Sequence, residues 1–154
     1  MPSYRFEWHQ RITNVAHEYR SARTAVDRYR SDLVATPDLM GGDPEALKYL
    51  RSAHDNREGT YLVRLFATFE AALRSYDRAK HNDPNCSSRA SILIDTIGGR
   101  RGRGIQTIIR QKVHEVRQVR NYWAHESDDK PYPMTIDEAR KRLQFYLREL
   151  EDEW

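Results

Sequence analysis

The amino-acid sequence predicts an all-α protein built as a single bundle of four or five helices. Three observations carry that reading. Apolar residues recur at intervals of three and four through every long segment, the period of a helix with one buried face. No useful length of chain alternates apolar and polar residues with the period of two that a half-buried strand requires. Short clusters of proline, glycine, asparagine and aspartate separate the periodic segments, and these residues punctuate helices. At 154 residues the chain has the size of one domain, able to bury about 70% of its unfolded surface.

Each element follows from its own signals. A first helix is expected from about Tyr4 to Val34, because Trp8, Ile12, Val15, Tyr19, Ala22, Val26, Tyr29 and Leu33 repeat at four and three without a break. Thr36-Pro37 and Gly41-Gly42 end it. Asp43-Pro44-Glu45 reads as an N-cap with proline at the first helical position. Leu47 and Leu50 then open a second pattern that runs through Tyr61, Leu62, Leu65, Phe66, Phe69, Leu73 and Tyr76 to about Lys80. Gly59 either kinks this helix or divides it in two. After Asn82-Asp83-Pro84-Asn85 comes a short helix from Ala90 to Ile97, stopped by Gly98-Gly99. A fourth helix is expected from about Ile105 to His125, with Ile109, Val113, Val116 and Trp123 on its core stripe. The turn Asp128-Asp129-Lys130-Pro131-Tyr132-Pro133 leads to Thr135-Ile136-Asp137-Glu138, a capping box. The last helix carries Ile136, Ala139, Leu143, Tyr146 and Leu150 on one face.

Composition narrows the function. Cys86 is the single cysteine, which excludes an intramolecular disulfide or a cysteine-rich metal site and suits a reducing, cytoplasmic compartment. No apolar run approaches the ~20 residues of a membrane span, and Met1-Pro2-Ser3-Tyr4-Arg5 lacks the apolar stretch of a signal peptide. His9, His54, His81 and His114 show no ligand spacing, so neither a metal nor another cofactor is expected. The net charge of +3 hides a polarised distribution. Between Gly98 and Arg120 seven bases (Arg100, Arg101, Arg103, Arg110, Lys112, Arg117, Arg120) face one acid, Glu115; from Glu126 onward nine acids face five bases. A basic segment beside an acidic remainder points to a surface that meets polyanions. Of the 26 cationic residues 21 are arginines, which suits planar recognition of phosphate.

The most informative stretch is Arg120-Asn121-Tyr122-Trp123-Ala124-His125 at the end of the fourth helix. Position 120 continues the apolar stripe, so an arginine stands where an aliphatic side chain would be expected. A charge there needs a partner, because burying it unpaired costs several kcal/mol. Glu70 interrupts the stripe of the second helix between Phe66 and Leu73 in the same way. The two are expected to pair across the helix interface, so that losing Arg120 would strand Glu70; Glu58 and Asp77 are the lesser candidates. At about 100° per residue Arg120 and His125 point about 140° apart, so a long arginine arm or a distorted helix end must bring them together. Asn121 and His125 are neighbours at i and i+4, which lets Asn121 orient the imidazole or contact phosphate. Tyr122 is a candidate to stack on a base; Trp123, on the core stripe, is expected to be buried.

The bare spacing carries little weight in a chain with this many arginines, but its setting adds to it. A polar residue follows the arginine, a small one precedes the histidine, and a capped amphipathic helix follows a proline-bearing turn. In these features the segment Val119 to His125 resembles the signature of the HEPN superfamily of small α-helical domains, many of them ribonucleases. Tyr61 to Glu70 is similar to that family's earlier helix, where an acid follows an apolar run, and the helix from Ile136 is similar to its last. The resemblance covers about Asp43 to Leu150. It implies metal-independent RNA cleavage with Arg120, His125, Asn121 and Glu70 at the site, two subunits joining their motifs across one cleft, and a prokaryotic toxin or defence effector, with a cognate inhibitor or antitoxin as a further partner. Variants modified by a paired nucleotidyltransferase carry a tyrosine two positions after the histidine; Ser127 stands there, against that regulation. Arg100, Arg101, Arg103, Arg117 and Tyr122 are the expected RNA contacts. The alternative is a non-catalytic HEPN-like module that binds RNA or protein and uses the Arg120–Glu70 pair only for folding.

Overall fold

The computed structural model describes residues 4–40, 44–81, 88–98, 104–125 and 133–154, and every long periodic segment among them is helical. The helices are α1 (Arg5–Ala35), α2 (Pro44–His81), α3 (Ala90–Gly98), α4 (Thr107–His125) and α5 (Ile136–Arg148), with a 3-10 turn at Pro37–Met40. No strand occurs among the described residues. A backbone bridge joins Tyr4 to Glu153, and none of the described helices is long and apolar enough to cross a membrane.

α2 is the axis of the bundle. Its second half, from Leu62 to Leu73, buries Leu62, Leu65, Phe66, Phe69, Ala72 and Leu73 almost completely, and α1, α3, α4 and α5 all pack against it. The apolar side chains that meet it are Trp8, Ile12, Val15 and Tyr19 of α1, Leu93 and Ile94 of α3, Val113 and Val116 of α4, and Leu143, Tyr146 and Leu147 of α5. Phe69 meets Tyr146 edge to face at 5.4 Å, an arrangement aromatic pairs favour. The Tyr146 hydroxyl donates to the Ile94 carbonyl at 2.8 Å. Burial holds its phenol well above the usual tyrosine range.

The seam of α1 does not stay buried along its length. Trp8 to Tyr19 lies in the core, but Ala22 and Val26 are half-buried and Tyr29 is exposed before Leu33 is covered again. The expectation of one apolar seam over more than 25 residues is therefore corrected. Beyond Tyr19 the first half of α2 is α1's partner, and polar ties join them. Arg57 donates to Asp27 at 2.6 Å, Arg23 and His54 lie within 3.7 Å of the same carboxylate, and the Tyr19 hydroxyl donates to Glu58 at 2.9 Å. The Arg57 hydrogen bond holds the Asp27 carboxyl below its ordinary pKa. The Asp27 carboxylate is 43% exposed, so the ion pairs around it hold geometry more than they add stability.

α5 closes the bundle at both ends. Thr135 accepts from the Glu138 backbone N–H at 3.2 Å, one half of the expected capping box, while the Glu138 carboxylate accepts from Arg142 at 2.6 Å. Past its C-terminus Arg5 donates to the carbonyls of Arg148 and Leu150 at 2.7 and 2.6 Å, which satisfies acceptors a helix end leaves open. Gln144, buried, donates to the His9 carbonyl and the Thr13 hydroxyl, fixing α5 against α1.

His9 lies at this α1–α5 contact, and burial, with the nearby charges of Arg148 and Arg5, holds its imidazole below the ordinary value of 6.5. The folded protein thus resists a proton that the unfolded chain accepts. Stability is complete above the unfolded value and falls as pH drops through it toward the folded one. Urea melts of His9→Asn should show a shallower loss of stability than wild type as pH drops below the ordinary histidine value of 6.5; parallel curves would mean that His9 does not drive this acid limb.

Candidate active site

Three local features place the motif. α4 packs Ile109, Val113, Val116 and Val119 into the core, and stays helical through His125. Val119 turns toward the chain leading into α5, beside Pro133 and Met134, while Arg120 faces α2. The α2 face opposite it presents Phe66 and, one turn on, Glu70.

Arg120 is held from two sides. Its guanidinium carbon lies 4.7 Å from the centre of the Phe66 ring, close enough for a cation–π attraction. One guanidinium nitrogen reaches Glu70 at 3.4 Å, long for a hydrogen bond but within ion-pair range. The expected partner is thus the one in contact. The lesser candidates are engaged elsewhere, Glu58 by Tyr19 and Asp77 by His81 at 2.9 Å.

Glu70 is not a private partner of Arg120. Arg74, one turn further along α2, donates to its other oxygen at 2.6 Å, so one carboxylate holds two arginines, all three side chains between 20% and 28% exposed. This corrects the expectation that removing Arg120 strands Glu70, because Arg74 would remain. The i to i+4 spacing of Glu70 and Arg74 was available in the sequence as a helix-surface pair; that it would compete for the same acid was not.

Asn121 is half-buried, and His125 is exposed on the last turn of α4. No hydrogen bond joins them, so the structure does not show Asn121 orienting the imidazole. The helix end is also not distorted. Arg120 and His125 therefore leave α4 about 140° apart, one toward α2 and one toward solvent. Arg100, Arg101 and Arg103 lie outside the described residues. Tyr122 is half-buried and meets Trp123 edge to face at 5.5 Å.

Trp123 corrects the sequence reading most. It is 39% exposed rather than buried, and its ring lies flat on the backbone of α2 at Gly59. A Cβ built at Gly59 would stand 2.3 Å from two indole carbons. Gly59 does not divide α2, which is continuous from Pro44 to His81, and the missing side chain is the seat of the indole. The signal was a glycine inside an otherwise helical pattern, which implies close approach of another group.

On its other side α4 forms a groove with α5, about 220 Å³, lined by Ile109, Lys112, Lys141, Arg142 and Phe145. Lys112 lies about 140° round the helix from His125, so this groove is separate from the motif. Among the described residues no group of histidines, cysteines or acids is placed to hold a metal ion. No protein-family model, no curated protein and no solved structure matches the chain.

Two stability measurements follow. Gly59→Ala gains about 1 kcal/mol of helix propensity but meets a rigid ring, and overpacking costs about 1–3 kcal/mol. It should be neutral to destabilising in wild type, with red-shifted tryptophan emission, and stabilising once Trp123→Ala has removed the ring. Equal effects in both backgrounds would mean that the contact carries no energy. Glu70→Leu, which removes the acid that both Arg74 and Arg120 contact and leaves Arg120 without its carboxylate, should cost more in denaturant unfolding than Arg120→Met, which keeps contact with Phe66 and leaves Glu70 with Arg74. The reverse order would show that Arg120 alone holds Glu70.

Proposed function

We propose that the chain is a metal-independent endoribonuclease, acting as a homodimer in the cytoplasm as a prokaryotic toxin or defence effector. The observation that carries this reading is Arg120: a guanidinium kept at a helix interface by one shared carboxylate and one aromatic ring, one turn before an exposed histidine. The resemblance of the same residues to the HEPN motif supports it. Among unperturbed side chains, histidine is the one that titrates near neutral pH, and arginine remains charged while it forks onto phosphate oxygens.

In the proposed reaction the ribose 2′-oxygen loses its proton to a base and bonds to the adjacent phosphorus. The bond to the 5′-oxygen breaks, and that oxygen takes up a proton, leaving a 2′,3′-cyclic phosphate and a 5′-hydroxyl. His125 moves protons, and Arg120 stabilises the charge on the five-coordinate phosphorus. Because Arg120 and His125 leave α4 in different directions, two motifs facing each other supply what one helix does not, the His125 of one copy with the Arg120 of the other. The 3.4 Å reach to Glu70 leaves Arg120 donors to spare for phosphate. The second reading, a binding module without catalysis, is favoured by the same contact, since Glu70 and Phe66 already satisfy Arg120.

The deciding experiment compares RNA cleavage by wild type and a well-folded His125→Ala protein. General acid–base catalysis contributes about 10²–10⁴-fold, so the variant should lose at least that much. Activity should survive EDTA, products should carry 2′,3′-cyclic phosphate, and a 2′-deoxy substitution at the scissile position should block cleavage. Wild-type rates from His125→Ala, or loss of cleavage on chelation, would replace this reading with the binding module.

A further inference from the structure

Five residues of α4 fall on one narrow face. At about 100° per residue, Arg110, His114, Arg117, Asn121 and His125 lie within an arc of about 80°. Arg120 lies outside this arc, on the side of α2. The far end of the face lies against α3 and is neutralised there: Arg110 and His114 reach the same Asp95 oxygen at 3.3 and 3.0 Å. Arg110 also donates to the Ile105 carbonyl and the Thr107 hydroxyl, so it serves the start of α4. Arg117, in the middle, has none of this. It is half-buried, its Nε is buried without a hydrogen-bond partner, and it forms no ion pair with any described residue.

An arginine in that position is incomplete. It cannot shed its proton, and a buried Nε–H without an acceptor forgoes the hydrogen bond it gave up in water. The other arginine at the motif, Arg120, has a carboxylate and an aromatic ring; among the described residues Arg117 has neither. Its missing partner is an anion, and the face it shares continues through Asn121 to His125. At about 1.5 Å per residue, Arg117 stands about 12 Å from His125 along the helix, so a strand lying along α4 meets the two at different phosphates.

We propose that Arg117 forms an anion subsite for a backbone phosphate of the RNA strand, a few nucleotides from the bond broken at His125, so that the strand runs along α4. This rests on the ribonuclease reading above and adds the path of the substrate to it. Arg117 is a binding residue in this scheme and takes no part in the chemistry.

The test uses His125→Ala protein and a short single-stranded RNA, with binding measured across a range of salt. Adding Arg117→Gln should weaken binding and reduce the slope of log affinity against log salt by about 0.7, the contribution of one single-strand phosphate contact. Arg117→Lys should restore the slope, because the charge returns. With His125 intact, Arg117→Gln should raise KM while kcat stays within a few-fold. In the His125→Ala protein, which keeps the native arginine, the Arg117 Nε–H resonance should shift when RNA is added, and this readout does not depend on a variant folding. RNA that is bound and cleaved with an unchanged slope and an unmoved resonance overturns the subsite and leaves the ribonuclease standing. RNA that is neither bound nor cleaved overturns both. A dimer that Arg117→Gln splits, with the slope unchanged, assigns Arg117 to an acid of the second copy and overturns the subsite.

Discussion

The carboxylate of Glu70 is the point on which the arrangement of the motif depends. It lies on the inner half of α2, between Phe66 and Leu73, both fully buried, where an acid would be costly alone. Two arginines meet it, Arg74 from its own helix and Arg120 from α4. Arg74 makes the shorter contact and neutralises the acid locally. Arg120 makes the longer one, and so is positioned without being consumed. If Glu70 had only Arg120, the pair would be closed and the cation less able to exchange its partner.

The same interface also sets the rotation of α4. Val113 and Val116 bury their side chains completely, and two contacts beyond them prevent the helix from turning about its axis: Arg120 over the Phe66 ring, and the Trp123 indole on the bare backbone at Gly59. With that rotation set, His125 is exposed and Arg117 shares the helix face of Arg110 and His114, which meet α3 at Asp95. The far half of the α1–α2 hairpin contributes little to this. Its contacts centre on Asp27, which Arg57, Arg23 and His54 surround, and of its apolar side chains Leu33 is buried while Tyr29, Val34, Leu47 and Tyr49 are exposed. Exposed charges joined in this way specify how two helices are aligned more than how strongly they are held.

Much of this was legible in the sequence. The helical class, the places where the helices start and stop to within a few residues, and the cap at Thr135 follow from local rules: period, proline and glycine punctuation, and a threonine three residues before a glutamate. The pairing of Glu70 with Arg120 was legible for a less local reason. Each breaks an apolar stripe, and two opposite charges excluded from water by neighbouring helices are driven to the same place.

What the sequence determined by itself is therefore periodic or paired: which segments are helices, which faces are apolar, and which charges stand where apolar side chains belong. The tertiary structure alone decided how far each apolar face is covered. Trp123 and the outer seam of α1 have core periodicity yet are partly exposed, because burial requires another element opposite, and here α4 is ending and the far part of α1 has little beside it but α2 and the Pro37–Met40 turn. It also decided that Gly59 is a seat and not a break, since a missing Cβ looks the same in sequence whether a helix ends there or another side chain fills the space. Arg117 belongs with these. A sequence can show that an arginine lies on a basic helix, but whether its guanidinium has found an acid depends on which neighbours the fold brings within reach, and the fold brings none of the described ones.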